Sequence, residues 1–90
     1  MDICRKIQEM FNEENLHVAN IMEVLADEPT GIVSVGIRKG DWKHEHARAK
    51  YLLKEKFGAT WFATVTEDRE DSLDDTYSAV HYFYIPKSYR

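Results

Sequence analysis

The hydrophobic positions of this chain follow two spacings, one typical of helices and one typical of strands. From Ile3 to Leu25 they recur at three- or four-residue intervals for most of the length, which places them on one side of an α-helix. The members of this stripe are Ile3, Ile7, Met10, Phe11, Val18, Ile21, Met22 and Leu25. The spacing predicts a first helix whose apolar side packs on the rest of the domain.

The extent of this first helix has two interpretations. A continuous helix over residues 3–25 would be roughly 35 Å long, whereas strands usually span about 20 Å. Either the helix breaks near residues 12–15, where Glu14 interrupts the apolar spacing, or its first half projects and packs on a second copy of the chain. Pro29 ends the helix in both cases, because proline cannot continue it.

Three later segments are predicted to be strands; the first alternates apolar and polar residues, and the last has apolar or aromatic residues on both faces. They cover residues 32–38, 59–67 and 77–85. Between the first two, Asp41 is a good N-cap for a helix over Trp42–Phe57, and Gly58 is a typical stop signal. The buried side of this second helix is predicted to comprise Trp42, His46, Ala49, Leu53 and Phe57.

The order of these elements predicts an α+β fold, a two-layer sandwich of order α-β-α-β-β formed by a single domain over residues 1–90. Both helices would cover one face of a three-stranded mixed sheet. The first two strands, joined through a helix, are predicted to run parallel, and the last two form an antiparallel hairpin. We expect the most apolar strand, the last one, in the centre of the sheet, with the strand at 59–67 as the alternative.

The last strand has large side chains on both faces, and this is the main functional clue in the sequence. Only one of its two rows can pack on the helices. The row of Ser78, Val80, Tyr82 and Tyr84 would then lie on an open face, together with Phe62, Thr60 and Thr64 of the neighbouring strand and Ser34 and Gly36 of the first. We predict that Phe62, Val80, Tyr82 and Tyr84 form a partner-binding patch.

Three kinds of partner compete for this patch. A second copy of the chain is the simplest, because exposed apolar area usually marks an interface, and a heterologous protein is the next. Single-stranded nucleic acid is the least favoured; its bases would stack on Tyr82, Tyr84 and Phe62, with Arg38 and Lys39 as nearby positive charges. The net charge of −4 argues against broad binding of duplexes. We expect a protein-interaction module that is not an enzyme.

The charged residues are unevenly distributed and suggest two further candidates. At the junction of the first strand and the second helix, Arg38, Lys39, Lys43 and His44 form a candidate anion site, although the repeated glycines of a phosphate loop are absent. A loop at residues 67–75 contains the acidic residues Glu67, Asp68, Glu70, Asp71, Asp74 and Asp75. A second functional hypothesis is an acidic inhibitor or accessory protein, of the phage or mobile-element type, that mimics nucleic acid through this loop. For both charged segments, a solvated surface is the simpler interpretation.

The sequence predicts neither a metal site nor a cofactor. His44 and His46 are two residues apart, which places them on different sides of a helix, and the acidic loop lacks the spacing of a calcium motif. For His46 we favour a partly buried histidine with one hydrogen bond over a pair with His81. With Cys4 as the only cysteine, no signal sequence and no long apolar run, we expect a cytoplasmic protein without membrane association.

Overall fold

The chain folds into two units, each a helix followed by a β-hairpin, that share one sheet. The computed structural model describes residues 3–14, 21–37, 42–67 and 78–90, and among these it leaves out the side chains of residues 21–23, 42, 67 and 78. The elements are α1 (Ile3–Glu13), β1 (Ile21–Asp27), β2 (Ile32–Ile37), α2 (Trp42–Phe57), β3 (Thr60–Glu67) and β4 (Ser78–Tyr84), followed by a short 3-10 helix (Lys87–Tyr89). The strands form an antiparallel sheet in the order β1-β2-β4-β3.

Helix α1 ends well before the length that its apolar stripe predicts. Its buried side consists of Ile3, Ile7, Met10 and Phe11, which join the main core. The amide of Glu14 donates to Met10 O at 3.0 Å, one residue after the last helical position. The helix therefore stops near residues 12–15, and the hypothesis of one continuous helix over residues 3–25 is wrong.

Residues 21–27 form a strand, which corrects the prediction that they are helical. They pair with β2 across the turn at residues 28–31, from Asp27 opposite Ile32 to Ile21 opposite Ile37. Val24 is buried on the helix side, whereas Leu25 on the other side is exposed. Hydrogen bonding to a neighbouring strand thus overrides the helical spacing of this segment, because tertiary pairing regularly outweighs local preference.

The extra strand changes the sheet from the predicted three-stranded mixed form to a four-stranded antiparallel one. β2 and β3 do run in the same direction, as expected from their helical connection, but β4 lies between them and is antiparallel to both. The expectation that the last strand is central is therefore confirmed. The α+β class is also confirmed, and the predicted α-β-α-β-β order becomes α-β-β-α-β-β.

Both helices lie on the same face of this sheet. Ala49, Leu52 and Leu53 of α2 join the same core as the buried side of α1. From the sheet this core includes the inward residues Val33, Val35, Ile37 and Phe83. The bounds of α2 agree with the predicted helix, and Gly58 after it has a φ of 62°, a left-handed conformation that suits a helix end.

A β-bulge in β3 changes which residues reach each face. Trp61 lies opposite Phe83, but the next paired residue, Ala63, lies opposite Tyr82, and the register shifts between them. Beyond the bulge, Thr64 lies opposite His81 on the helix side, and Val65 lies opposite Val80 on the open side. The prediction that Thr64 lies on the open face is therefore wrong, because the alternation of a regular strand does not continue through a bulge.

Gly31 connects the first hairpin to the end of β4, and its replacement tests this junction. Its φ is 79°, its carbonyl accepts from the Ile85 amide at 2.8 Å, and an added Cβ would lie 2.6 Å from Ile85 O. We predict that Gly31→Ala lowers the free energy of unfolding by about 2 kcal/mol or more, through the left-handed backbone and this clash. Urea denaturation measures the change.

Gly36→Ala is the matched control, because Gly36 lies within the strand β2 and does not have the positive φ of Gly31. Its unfolding free energy should stay within about 1 kcal/mol of the parent value. Equal effects of the two substitutions would contradict the role assigned to Gly31.

Candidate functional site

The face of the sheet opposite the helices is the candidate functional site. Its positions follow from the register of the four strands. One row across the sheet joins Leu25, Ser34, Tyr82 and Ala63, and the next row joins Ile32, Tyr84 and Thr60. Side chains of directly paired residues point to the same side of a sheet, so each row presents its members together.

Large apolar side chains are exposed on all four strands of this face. The exposed fractions are 55% for Leu25 on β1, 41% for Ile32 on β2, 54% for Phe62 and 51% for Val65 on β3, and 43% for Tyr84 on β4. Val80 and Tyr82, which lie between them on the central strand β4, are half-buried by these neighbours. Exposed apolar side chains therefore lie on neighbouring strands all the way across the sheet. On an ordinary protein surface, exposed apolar residues are scattered singly.

Tyr82 lies at the middle of the face and separates two surface features. On the β3 side, the Phe62 ring lies 6.2 Å from the Tyr82 ring, centroid to centroid, with a tilt of 38°. On the other side is an open depression of about 250 Å³, lined by Leu25, Ala26, Asp27, Ile32, Ser34 and Tyr82. The face thus has an exposed aromatic ring on one side of Tyr82 and an open depression on the other.

The register places three acidic residues on this face, near the ends of its outer strands: Glu23 opposite Gly36, Asp27 opposite Ile32 and Glu67 opposite Ser78. Among its described side chains, Asp27 at the end of β1 is the charged one, and the others are apolar, aromatic, hydroxyl or glycine. At the rim, the Arg90 guanidinium lies 5.8 Å from the centroid of the Tyr84 ring, within the range of a cation–π interaction. The Arg90 side chain also donates a hydrogen bond to the carbonyl of Glu28. This arginine is therefore held at the edge of the face.

The predicted patch residues Phe62, Val80, Tyr82 and Tyr84 all lie on this face. The residues that the sequence prediction missed are Leu25, Ile32, Ala63 and Val65. Leu25 was missed because its segment was assigned to a helix, and the two residues of β3 because of the bulge. Ile32 could have been found from the alternation of β2, since Ser34 and Gly36 were assigned to this face and Ile32 is two residues before Ser34.

The two charged candidates are described only in part. Lys43 and His44 are exposed in the first turn of α2, whereas Arg38 and Lys39 lie outside the described residues. Of the acidic loop, Glu67 ends β3 and the remaining acidic residues, at 68–75, lie outside the described residues. Both candidates therefore stay predictions from the sequence.

A polar cluster lies on the helix side of the sheet. The His46 and His81 rings stack with centroids 3.7 Å apart and planes 7° apart, which is the pair that the sequence analysis favoured less. The indole of Trp61 donates to Thr64 Oγ1 at 2.9 Å, and Thr64 Oγ1 lies 2.9 Å from His81 Nδ1. Lys50 Nζ lies 4.8 Å from the centroid of the Trp61 ring. These contacts connect α2 to β3 and β4.

The environment of this cluster favours neutral histidines. Burial, and after it the charge of His46, lowers the pKa of His81 from 6.5 to about 4. Burial, and after it the charge of Lys50, lowers the pKa of His46 below 6.5. Two stacked imidazoles can be close only while at least one is neutral, so we interpret the pair as a structural contact between helix and sheet. In the described part of the chain, no three His, Cys, Asp or Glu side chains are grouped to hold a metal ion.

The histidine pair predicts a loss of stability in mild acid. The pKa of His81 is lower in the folded protein than in the unfolded chain, so below pH 6.5 the unfolded chain binds a proton that the folded protein does not. Stability should therefore fall as the pH decreases from about 6.5 to about 4, with a contribution from His81 of roughly 3 kcal/mol. Urea denaturation across this pH range measures the slope.

Two variants separate this contribution from that of the carboxylates. His81→Leu should flatten the pH dependence of the unfolding free energy, whereas His44→Gln, at an exposed histidine of α2, should leave it unchanged. Parallel pH profiles for the parent and His81→Leu would contradict the assignment.

Comparisons with known proteins leave the face to be interpreted from its own chemistry. No protein-family model, curated protein or solved structure matches this chain. Neither described helix is both long enough and apolar enough to cross a bilayer. The observations that bear on function are therefore the apolar side chains exposed on every strand of the open face and the depression beside Tyr82.

Proposed function

We propose that this protein is a small interaction module that self-associates by stacking the open faces of two copies. The proposal assigns the protein a binding role and no reaction. Its main support is that large apolar side chains are exposed on every strand of one uncovered face. Contiguous apolar surface of this kind on a folded protein usually marks an interface.

The chemistry of the face supports burial against another protein surface. Tyr82, Tyr84 and Phe62 supply large contact area with few rotatable bonds, so that little conformational entropy is lost when they are immobilised. Tyrosine and phenylalanine are also enriched at interfaces, where charged residues are depleted. The described side chains at the middle of the face, Phe62 and Tyr82, are of this aromatic type.

A second copy of the chain is the simplest occupant, because every copy presents the same exposed apolar face. The acidic positions that the register gives this face, Glu23, Asp27 and Glu67, lie near the ends of the outer strands β1 and β3. Tyr82 lies on the inner strand β4, between β2 and β3.

The size of the face predicts a weak, reversible dimer. Four strands spaced about 4.8 Å apart, each of six to eight residues, cover an area of roughly 400 Å². Two such faces, counted as flat areas, would bury roughly 800 Å² in total. This is below the lower end of standard interfaces, about 1,200 Å² of total buried surface. Interfaces below this size are typical of weak, transient association, so we expect a reversible dimer.

A heterologous protein is the main alternative occupant, since the same apolar face would suit it. Stacking of single-stranded nucleic acid has the aromatic rings in its favour, but Arg90 is the one cationic side chain recorded at this face in the described chain. The hypothesis of an acidic inhibitor depends on residues outside the described ranges and is kept as a prediction from the sequence.

Substitution of the central tyrosines tests the proposal. We predict that the parent protein shows a reversible monomer–dimer equilibrium in sedimentation experiments between about 10 and about 500 µM. Tyr82→Asp and Tyr84→Asp should each weaken it at least about tenfold, because a carboxylate would be buried without a partner. Tyr51→Asp, at a tyrosine of α2 that is 62% exposed, is the matched control and should leave it unchanged.

The outcomes of this experiment distinguish the possible partners. A parent protein that stays monomeric at the highest concentration would contradict self-association and favour a heterologous partner. A dimer that tolerates both tyrosine substitutions would show that another surface of the chain associates.

Nucleic acid as a partner is tested separately. Binding through phosphate contacts must weaken steeply with salt, whereas an interface of tyrosines should respond little. We predict no salt-sensitive binding of single-stranded or double-stranded oligonucleotides in fluorescence anisotropy. Submicromolar binding that Tyr82→Ala abolishes and Tyr51→Ala does not would support the stacking hypothesis instead.

A further inference from the structure

Helix α2 contacts the rest of the domain in two ways that differ in chemistry. Among the described side chains of its second half, the residues that join the core are apolar: Ala49, Leu52 and Leu53. In its first half, the ring of His46 stacks on the ring of His81 on β4, with centroids 3.7 Å apart. The helix is therefore anchored by apolar side chains in one half and by this imidazole pair in the other.

The imidazole pair has room for one positive charge and not for two. Like charges at this separation repel, and His81 is fully buried, so a second charge would form where little water reaches it. The neighbouring charge that acts on His46 is Lys50, which is also a cation. Glu45 precedes His46 on α2, about 100° around the helix, and no ion pair joins it to either ring in the described part of the chain.

The strands surround the pair with uncharged groups. From β3, the Trp61 ring lies edge-on to His46 with centroids 5.4 Å apart, and Thr64 Oγ1 lies 2.9 Å from His81 Nδ1. From β4, the Phe83 ring lies edge-on to His46 at 6.3 Å. Within the described residues, therefore, no anion is in place to balance a second proton on the pair.

We propose that the imidazole pair of His46 and His81 is an acid-sensitive switch, in which a second proton separates the rings and releases residues 42–47 of α2 from the sheet. The remainder of the domain stays folded, so this local opening is distinct from the global unfolding considered above. The switch lies on the helix side of the sheet and does not depend on which partner occupies the open face.

Contacts outside residues 42–47 hold the rest of the domain in place. Arg48 donates a hydrogen bond to the carbonyl of Glu14, and Ala49 is buried in the core. These two residues mark the hinge, because neither contact depends on a group that titrates between pH 5 and pH 7.5. The four strands remain joined by their own hydrogen bonds.

Proton binding supplies the free energy for the opening. In the closed form, burial and then the charge of His46 lower the pKa of His81 to about 4, whereas in the open form the ring is solvated and its pKa returns towards 6.5. Below pH 6.5 the open form therefore binds a proton that the closed form does not, and the ratio of open to closed molecules rises as the pH falls. For His81 alone, the increase from pH 7.5 to pH 5 is roughly thirtyfold.

Native-state hydrogen exchange at low urea concentrations tests the switch. The reporters are the amides of residues 46–49, whose helical hydrogen bonds reach back to residues 42–45. We expect their protection factors to fall roughly thirtyfold from pH 7.5 to pH 5 and to respond little to urea, because the opening exposes little surface. Amides of β2 and β4 should exchange by global unfolding, with larger protection factors and the full urea dependence. Ordinary carboxylates stay mostly ionised in this pH range.

Two substitutions assign the effect to the pair. His81→Gln removes the titrating ring and keeps an amide near Thr64 Oγ1, so the pH response of residues 46–49 should fall to less than about threefold. His44→Gln, at an exposed histidine of α2, is the matched control and should keep the parent response. Titration of the ring resonances of His81 in the parent protein is a second measurement that needs no variant, and we expect the ring to stay neutral down to pH 5.

Each contrary outcome overturns a defined part of the proposal. Exchange of residues 46–49 with the urea dependence of global unfolding would overturn the local opening. Protection factors that do not change with pH, or a response that survives His81→Gln, would overturn the role of the pair. A His81 ring that takes up its proton at pH 6 or above in the folded protein would remove the driving force and overturn the switch as well.

Discussion

The pairing of β2 with β4 joins the two halves of the molecule, and the positions of all other elements depend on its register. The ladder runs from Ile32 opposite Tyr84 to Ile37 opposite Ala79. It places Val33, Val35 and Ile37 on the same side as Phe83 and Ala79, and these residues form the part of the core under both helices. Because side chains alternate along a strand, a shift of one residue would exchange the buried and open faces. The register therefore determines the core and the candidate site together.

The second constraint is that the two helices cover only one face of the sheet. The buried residues of α1 and α2 pack on a single face, and the described chain has no helix on the other. On the covered face, His81 is fully buried, and its Nδ1 contact with Thr64 and its stacking on His46 place a polar strand residue within the core. On the uncovered face, the equivalent row of β4 consists of Val80, Tyr82 and Tyr84. The same strand thus supplies the interior and the surface that we assign to binding.

The sequence alone predicts the elements whose hydrophobic pattern fits only one type of secondary structure. The helix over Trp42–Phe57, with capping signals at both ends, matches the structure, and β2, β3 and β4 begin and end within one residue of the predicted limits. The aromatic residues of the open face followed from the alternation of β4. These results depend on local periodicity, which is a reliable signal when caps or turns define the ends.

The parts that could not be predicted depend on interactions distant in sequence or on local irregularity. Residues 21–27 contain apolar positions that fit a helix and a strand equally, and only the pairing with β2 decides between them. The bulge at Trp61 to Ala63 has no signal in a run of apolar residues, yet it moves Thr64 inward and Val65 outward. The contribution of β1 to the open face, through Leu25, was lost with the first of these errors.

The bulges in the two outer strands have a consequence for how copies of this protein can aggregate. β1 has a register shift between Ile21 and Glu23, and β3 has one between Trp61 and Ala63. Both outer strands therefore lack the long, regular row of free amides and carbonyls onto which another chain could add as a further strand. Endless growth into fibrils by edge addition is disfavoured, even though the sheet exposes much apolar surface. In the face-to-face stacking that we propose, growth would end after two copies, because each copy would cover the apolar face of the other.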